Sequence, residues 1–81
     1  MNLCFFGRLG ERIGREARID LDPETRTIGD LRRELATRFP ECAQDLLSSS
    51  VRASVNDAIV DDAHTITGID RVEFFPPLSG G

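Results

Sequence analysis

The residues best arranged for chemistry stand together at the end of the chain: Phe74-Phe75-Pro76-Pro77-Leu78-Ser79-Gly80-Gly81. Phe74 and Phe75 close a strand-like run and anchor the segment. Pro76 and Pro77 fix φ and remove two backbone donors, so the chain leaves any sheet extended and stiff. Gly80 and Gly81 carry no side chains and fit a slot that would exclude anything bulkier. From Pro76 onward the chain reaches roughly 20 Å when extended, at about 3.3–3.6 Å per residue. Its tip is the α-carboxylate of Gly81, ordinarily ionised at neutral pH. Two readings stand on this pattern alone. One is a frayed terminus. The other is an arm whose end is the reacting group, which accounts for the order of anchor, rigid spacer and slim tip.

Other chemistry-bearing residues are few. Cys4 and Cys42 do not form a C-x-x-C pair, and two thiols alone make no zinc site. They read as reduced thiols acting as small hydrophobes, and Cys42 has the acidic neighbour Glu41, so neither is expected to carry transferred sulfur. Asp61, Asp62 and His64 are a metal-ligand combination, but no other ligand cluster closes the site and a solvated acidic loop is expected. A single loop histidine without a placed nucleophile does not build a catalytic triad. Gly7, Gly10 and Gly14 lack the spacing of a phosphate-cradling loop. All ten basic residues are Arg, so there is no side-chain amine for a Schiff base or an isopeptide bond.

The elements that must position the terminal segment follow from periodicity. Leu3-Cys4-Phe5-Phe6 reads as strand one, with Leu3 and Phe5 on one face and Cys4 and Phe6 on the other. Leu9 and Ile13, between Gly7 and Gly14, suit one or two helical turns. Residues 17–21 alternate as a half-buried second strand, and Asp22-Pro23-Glu24-Thr25 is a turn. Thr27 is a helix N-cap with Asp30 as a shortened capping box. Ile28, Leu31, Leu35 and Phe39 form the apolar stripe, with Arg32, Arg33, Glu34 and Arg38 elsewhere on the cylinder. Pro40 stops the helix. Ala43, Leu46 and Leu47 face inward from a short second helix. Val51, Ala53 and Val55 alternate as a third strand, Asn56-Asp57 is a turn, and Ala58-Ile59-Val60 is a short strand after it. Residues 71–75 are the last strand, with Val72 and Phe74 on one face and Glu73 and Phe75 on the other. If Val72 and Phe74 join Leu3 and Phe5 under the helix, Phe6 and Phe75 point away from it. They then either form an apolar interface patch or lie under the short elements around Leu9 and Leu46.

One small α+β domain suits 81 residues: a mixed sheet of about five strands, one main helix on one face, and short extra helical turns. Fourteen acidic residues against ten arginines give a net charge of −4. This disfavours nucleic acid as a partner and suits a basic protein surface. No apolar run approaches a bilayer span of ~20 residues, and no signal peptide opens the chain, so neither a membrane nor export is expected and the cytoplasm is the default location.

With these residues in view, the chain resembles the sulfur-carrier proteins of the ubiquitin-like β-grasp fold, and among them the small subunits of molybdopterin synthase. The likeness runs over essentially the whole chain, through the Leu-x-Phe-Phe strand, the Thr27-Ile28 helix start, Ala53-Ser54-Val55-Asn56 and the Phe-Phe-Pro-Pro ending before Gly80-Gly81. It implies a β-grasp domain over 1–75 and a flexible tail over 76–81. It further implies that Gly81 is adenylated by a separate ATP-dependent enzyme, with no cofactor resident on this chain. A sulfurtransferase step converts it to a thiocarboxylate, and sulfur passes to a pterin precursor in the large synthase subunit, within a heterotetramer. The partner-binding residues implied are Phe6, Ile59, Phe75, Pro76, Pro77, Leu78, Ser79 and Gly80; the face of Ile59 comes from the resemblance, not from its neighbours. Such a chain is a sulfur-donating subunit with no catalytic side chain of its own. One departure is Thr67-Gly68-Ile69-Asp70, where the family commonly has Asp-Gly-Asp: a β-branched Ile stands where Gly would allow positive φ. Alternatives are a carrier for thiamine or another thiolated product, a ubiquitin-like protein modifier, and a ligand- or RNA-binding β-grasp module.

Overall fold

The first and last strands of the chain lie side by side. β1 (Asn2–Phe5) and β5 (Arg71–Phe75) pair in parallel, with Leu3 opposite Val72 and Phe5 opposite Phe74. They form the middle of a five-stranded sheet of order β2-β1-β5-β3-β4, completed by β2 (Glu16–Arg18), β3 (Arg52–Val55) and β4 (Ala58–Val60), whose other pairings are antiparallel. The structure, a computed structural model, describes residues 1–76. Apart from Pro76, the expected tail of 76–81 lies outside the described residues.

The strand parity read from the sequence holds. Leu3, Phe5, Val72 and Phe74 are at most 1% exposed, and the Phe5 and Phe74 rings stack with centroids 5.9 Å apart. Strand one is shifted by a residue, to Asn2–Phe5, because Phe6 becomes the residue that caps the next helix. The second strand is shorter than the expected 17–21. After Arg18 the pairing continues only at Ile19, whose N–H donates to the Met1 carbonyl at 3.1 Å and whose carbonyl accepts from the Met1 ammonium at 2.9 Å, because the chain offers β2 no partner before Met1. Ile19 and Leu21 instead pack on the core edge.

Across the inner face lies α2 (Ile28–Arg38). Its start is built as a reciprocal cap: the Asp30 N–H donates to Thr27 Oγ1 at 3.1 Å, and the Thr27 N–H donates to the Asp30 carboxylate at 3.1 Å. The next orphan donors are met by the loop from Asp61 to Ile66. Ile28 N–H reaches the His64 carbonyl and Gly29 N–H the Asp62 carbonyl, so this loop seals the helix end. Ile28, Leu31 and Leu35 are fully buried, as their spacing requires.

Arg32 departs from the expected pattern. It lies on the buried side, 6% exposed, and its guanidinium donates to the carbonyls of Leu46, Ser48 and Val51 and to the Asp62 carboxylate. Beyond α2 come a 3₁₀ turn (Pro40–Cys42) and α3 (Ala43–Leu46). Leu46 is buried, but Leu47, expected to face inward, is 53% exposed, because α3 ends at Leu46 and Leu47 turns outward with the connection. Asn56 and Asp57 turn the β3–β4 hairpin with φ of 49° and 73°, the left-handed pair that a two-residue hairpin requires. Among the described residues, no helix is long and apolar enough to cross a membrane.

Candidate functional site

The outer face of the sheet carries the residues that alternate with the core. Because Val72 and Phe74 point inward, Arg71, Glu73 and Phe75 point outward. Phe6 stands level with Phe75: its N–H donates to the Phe74 carbonyl at 3.0 Å, carrying the β1–β5 pairing one residue past the strand. Phe6 is 45% exposed and Phe75 half-buried. The elements around Leu9 and Leu46 therefore leave Phe6 open.

Ile59 joins the same face by register. It sits opposite Ser54, Ser54 opposite Glu73, and Glu73 shares its face with Phe75. At 60% exposed, Ile59 covers nothing of the core. The three apolar residues thus lie on one face, separated by the polar pairs of the middle strands. Among these, Arg52 stands opposite Phe75, and the Glu73 carboxylate is held by Arg71 at 3.3 Å and by the Ser54 hydroxyl at 3.4 Å. An apolar patch on a polar ground is the usual composition of a protein-docking face.

Pro76 leaves this face beside Gly7. Gly7 has φ of 65°, and a Cβ built on it would sit 2.8 Å from Pro76 Cγ. Both facts exclude an ordinary side chain there. The root of the terminal segment therefore packs on bare backbone at the start of α1 (Gly7–Ile13). Pro77, Leu78, Ser79, Gly80 and Gly81 lie outside the described residues.

The other candidates take defined places. Asp61 accepts from the Ala63 N–H and Asp62 from Arg32, while His64 is exposed. Cys42 is buried, and burial pushes its thiol pKa up, with the Glu41 charge adding to the shift; a thiol so placed is a poor nucleophile. Cys4 lies half-exposed on the outer face, in an open groove of about 510 Å³ that is also lined by Asn2, Glu16, Arg18 and Arg71. Its surroundings are thus more basic than its sequence neighbours suggested.

The Thr67–Asp70 turn forms without glycine geometry. Asp70 N–H bonds the Thr67 carbonyl, Thr67 N–H bonds the Asp70 carboxylate at 2.8 Å, and the Asn56 amide bonds it at 2.9 Å. Positive φ among the described residues is confined to Gly7, Gly14, Asn56 and Asp57, so Ile69 is unstrained and stands 95% exposed at the turn.

The sheet order, the single long helix across its inner face and the open outer face ending at Pro76 define a ubiquitin-like β-grasp protein. The chain belongs to the ThiS family, whose model matches residues 3–81. It is 31% identical over 81 residues to the molybdopterin synthase sulfur carrier subunit of Escherichia coli K12, with 100% of this chain and 99% of that protein covered. Among solved structures it is similar to SAMP1 from Haloferax volcanii, with a TM-score of 0.80, 25% identity and coverage of 99% of this chain and 97% of that one. It is also similar to the putative molybdopterin converting factor subunit 1 from Pyrococcus furiosus, with a TM-score of 0.77, 25% identity and 95% of each chain covered.

Proposed function

We propose that this chain is the sulfur-carrier subunit of a molybdopterin synthase, and that the Gly81 carboxyl is its reacting group. The observation that carries the reading is that the family match runs through residue 81, and so includes the aromatic anchor, the prolines and the glycines together. A carboxylate is a poor electrophile. Attack on the α-phosphate of ATP, on a separate adenylating enzyme, expels pyrophosphate and gives an acyl-adenylate with an attackable carbonyl. The terminal sulfur of a persulfide on a sulfurtransferase then attacks this carbonyl and displaces AMP, which keeps one carboxyl oxygen; a thiol cleaves the S–S bond of the resulting acyl disulfide, itself becoming a disulfide, and the terminus is left as a thiocarboxylate. Inserted into the large synthase subunit, that sulfur is delivered to a pterin precursor. Phe6, Ile59 and Phe75 supply the docking patch, and Pro76 to Gly80 the passage into the partner.

The test is intact mass after expression with the adenylating enzyme and a sulfur source, followed by molybdopterin formation with the large subunit. Oxygen-to-sulfur replacement located at Gly81 is the expected result. Deleting Gly81 retracts the carboxyl by about 3.3–3.6 Å, and a misplacement of even ~1 Å costs on the order of a hundredfold in rate, so the deletion should be close to inactive. A deletion variant with full sulfuration and full activity would reject the carrier function.

A further inference from the structure

We propose that Glu73 determines which large subunit this chain accepts: its carboxylate is the polar centre of the docking face and takes hydrogen bonds from N–H or O–H donors on that partner. The identity of the partner rests on the carrier reading.

The sheet register sets Glu73 among the apolar residues of the outer face. One row across that face runs Cys4, Glu73, Ser54 and Ile59, on the adjacent strands β1, β5, β3 and β4. Along β5 the next outward residue after Glu73 is Phe75. Ile59 lies two strand spacings from Glu73, roughly 10 Å. A body that rests on both Ile59 and Phe75 therefore also lies over Ser54 and Glu73.

The Glu73 side chain is already largely withdrawn from water, with 14% of its surface exposed. What remains open faces outward, where a partner closes it. Its bonds within the chain are long: Arg71 reaches one carboxylate oxygen at 3.3 Å and the Ser54 hydroxyl the other at 3.4 Å, against about 2.7–2.9 Å for a charge-assisted bond. A carboxylate offers about four acceptor positions, and the bonds among the described residues meet two of them. Covering the face without new donors would bury the remainder unpaired, which two long bonds do not offset. A large subunit with donors at this point satisfies the carboxylate; one with apolar or acidic groups there is rejected. The fold itself gains little from the residue. Glu is a poor strand former, and its ion pair is with Arg71, whose side chain is 54% exposed, an arrangement that contributes little to stability.

The test is the binding kinetics of the full chain with the large synthase subunit. Glu73→Leu removes the acceptor and leaves the partner's donors unpaired. It should dissociate about 30-fold faster or more, with an association rate that changes little. Glu73→Gln keeps one acceptor oxygen and should fall between Glu73→Leu and the natural chain. Both variants should keep a thermal midpoint near the natural one, because the half-exposed Arg71 returns to water. A partner without donors at this point gives the opposite order, since an apolar residue in place of a buried charge is neutral or favourable. Glu73→Leu bound as tightly as the natural chain, or more tightly, would therefore overturn the proposal, as would a natural dissociation rate in Glu73→Gln. So would failure of the natural chain to bind the large subunit; the mass test at Gly81, run without that subunit, then decides separately whether the carrier reading falls as well.

Discussion

The guanidinium of Arg32 lies over the ring of Phe74, 5.4 Å from its centroid. One buried charge thereby ties the main helix to the central strand, and through the Leu46, Ser48 and Val51 carbonyls to the connection between α3 and β3. Removing it strands several acceptors. The Asp62 carboxylate is 63% exposed and can return to water, so the carbonyls dominate the loss. Arg32→Met should destabilise by roughly 2–4 kcal/mol, a large share of the ~4–12 kcal/mol expected for a domain of this size. Arg32→Lys should recover little, since an ammonium does not reproduce the planar fork. Urea unfolding of both variants measures this; a midpoint unchanged in Arg32→Met would show that the carbonyls find water.

The apolar patch should separate binding from folding. Phe6 is 45% exposed, so Phe6→Asp removes little core contact. If it anchors the large subunit, truncation costs about 2 kcal/mol or more of binding with a nearly constant thermal midpoint. Phe75 is half-buried, and Phe75→Asp should abolish the complex with a larger effect on stability. Calorimetric titration against the large subunit checks both. Unchanged affinity for Phe6→Asp would remove that ring from the interface.

These residues also show what the sequence could and could not reveal. The capping box at Thr27 and Asp30 is local chemistry three residues apart, so it is legible, and strand parity alone separates Phe5 and Phe74 from Phe6 and Phe75. Arg32 reads as an outward residue by its type, yet its position, four after Ile28 and four before Ala36, puts it on the buried stripe, and only partners 14 to 30 residues away make burial tolerable. The face of Ile59 depends on its pairing with Ser54, a register that its own neighbours do not encode. The contact of Gly7 with Pro76 joins residues from opposite ends of the chain, and no local pattern announces it.

Acid should weaken the fold partly through the Thr67–Asp70 turn. The Thr67 backbone N–H, then the Asn56 amide, hold the Asp70 carboxyl below the ordinary carboxylate range, and the positive field of His64 adds to this. A carboxylate with a depressed folded-state pKa contributes stability that is fully present above its unfolded value, about 3.9, and is lost as pH falls through the folded value. Stability should therefore be flat in this term from neutral pH to about 5, then decline below ~4. Asp70→Asn should flatten part of that decline. The pull of Arg26 and Thr27 backbone donors on Asp30 acts in the same direction, so some acid sensitivity should persist. Denaturant midpoints at a series of pH values compare the two chains; identical acid limbs would mean that Asp70 titrates alike folded and unfolded.

The last prediction concerns the root of the terminal segment. Gly7 combines a φ of 65° with a Cβ position 2.8 Å from Pro76 Cγ, so two separable penalties meet there. Asn tolerates the left-handed backbone but adds the Cβ, whereas Val suffers on both counts. Gly7→Val should cost about 1–3 kcal/mol in stability. Gly7→Asn should cost less, but should still press on Pro76 and redirect the chain that follows. If the Gly81 carboxyl must enter a partner's active site, a small displacement at the root lowers the rate of sulfuration, on the order of a hundredfold for ~1 Å at the reacting group. Pro76→Ala removes the ring atoms that the new Cβ would meet, so Gly7→Asn/Pro76→Ala should regain rate relative to Gly7→Asn alone. Such non-additivity is the mark of direct contact. Thermal midpoints and sulfuration rates, followed by intact mass, give the two readouts for all four chains. A Gly7→Asn chain that is sulfurated at the natural rate would show that the contact with Pro76 does not guide the tail.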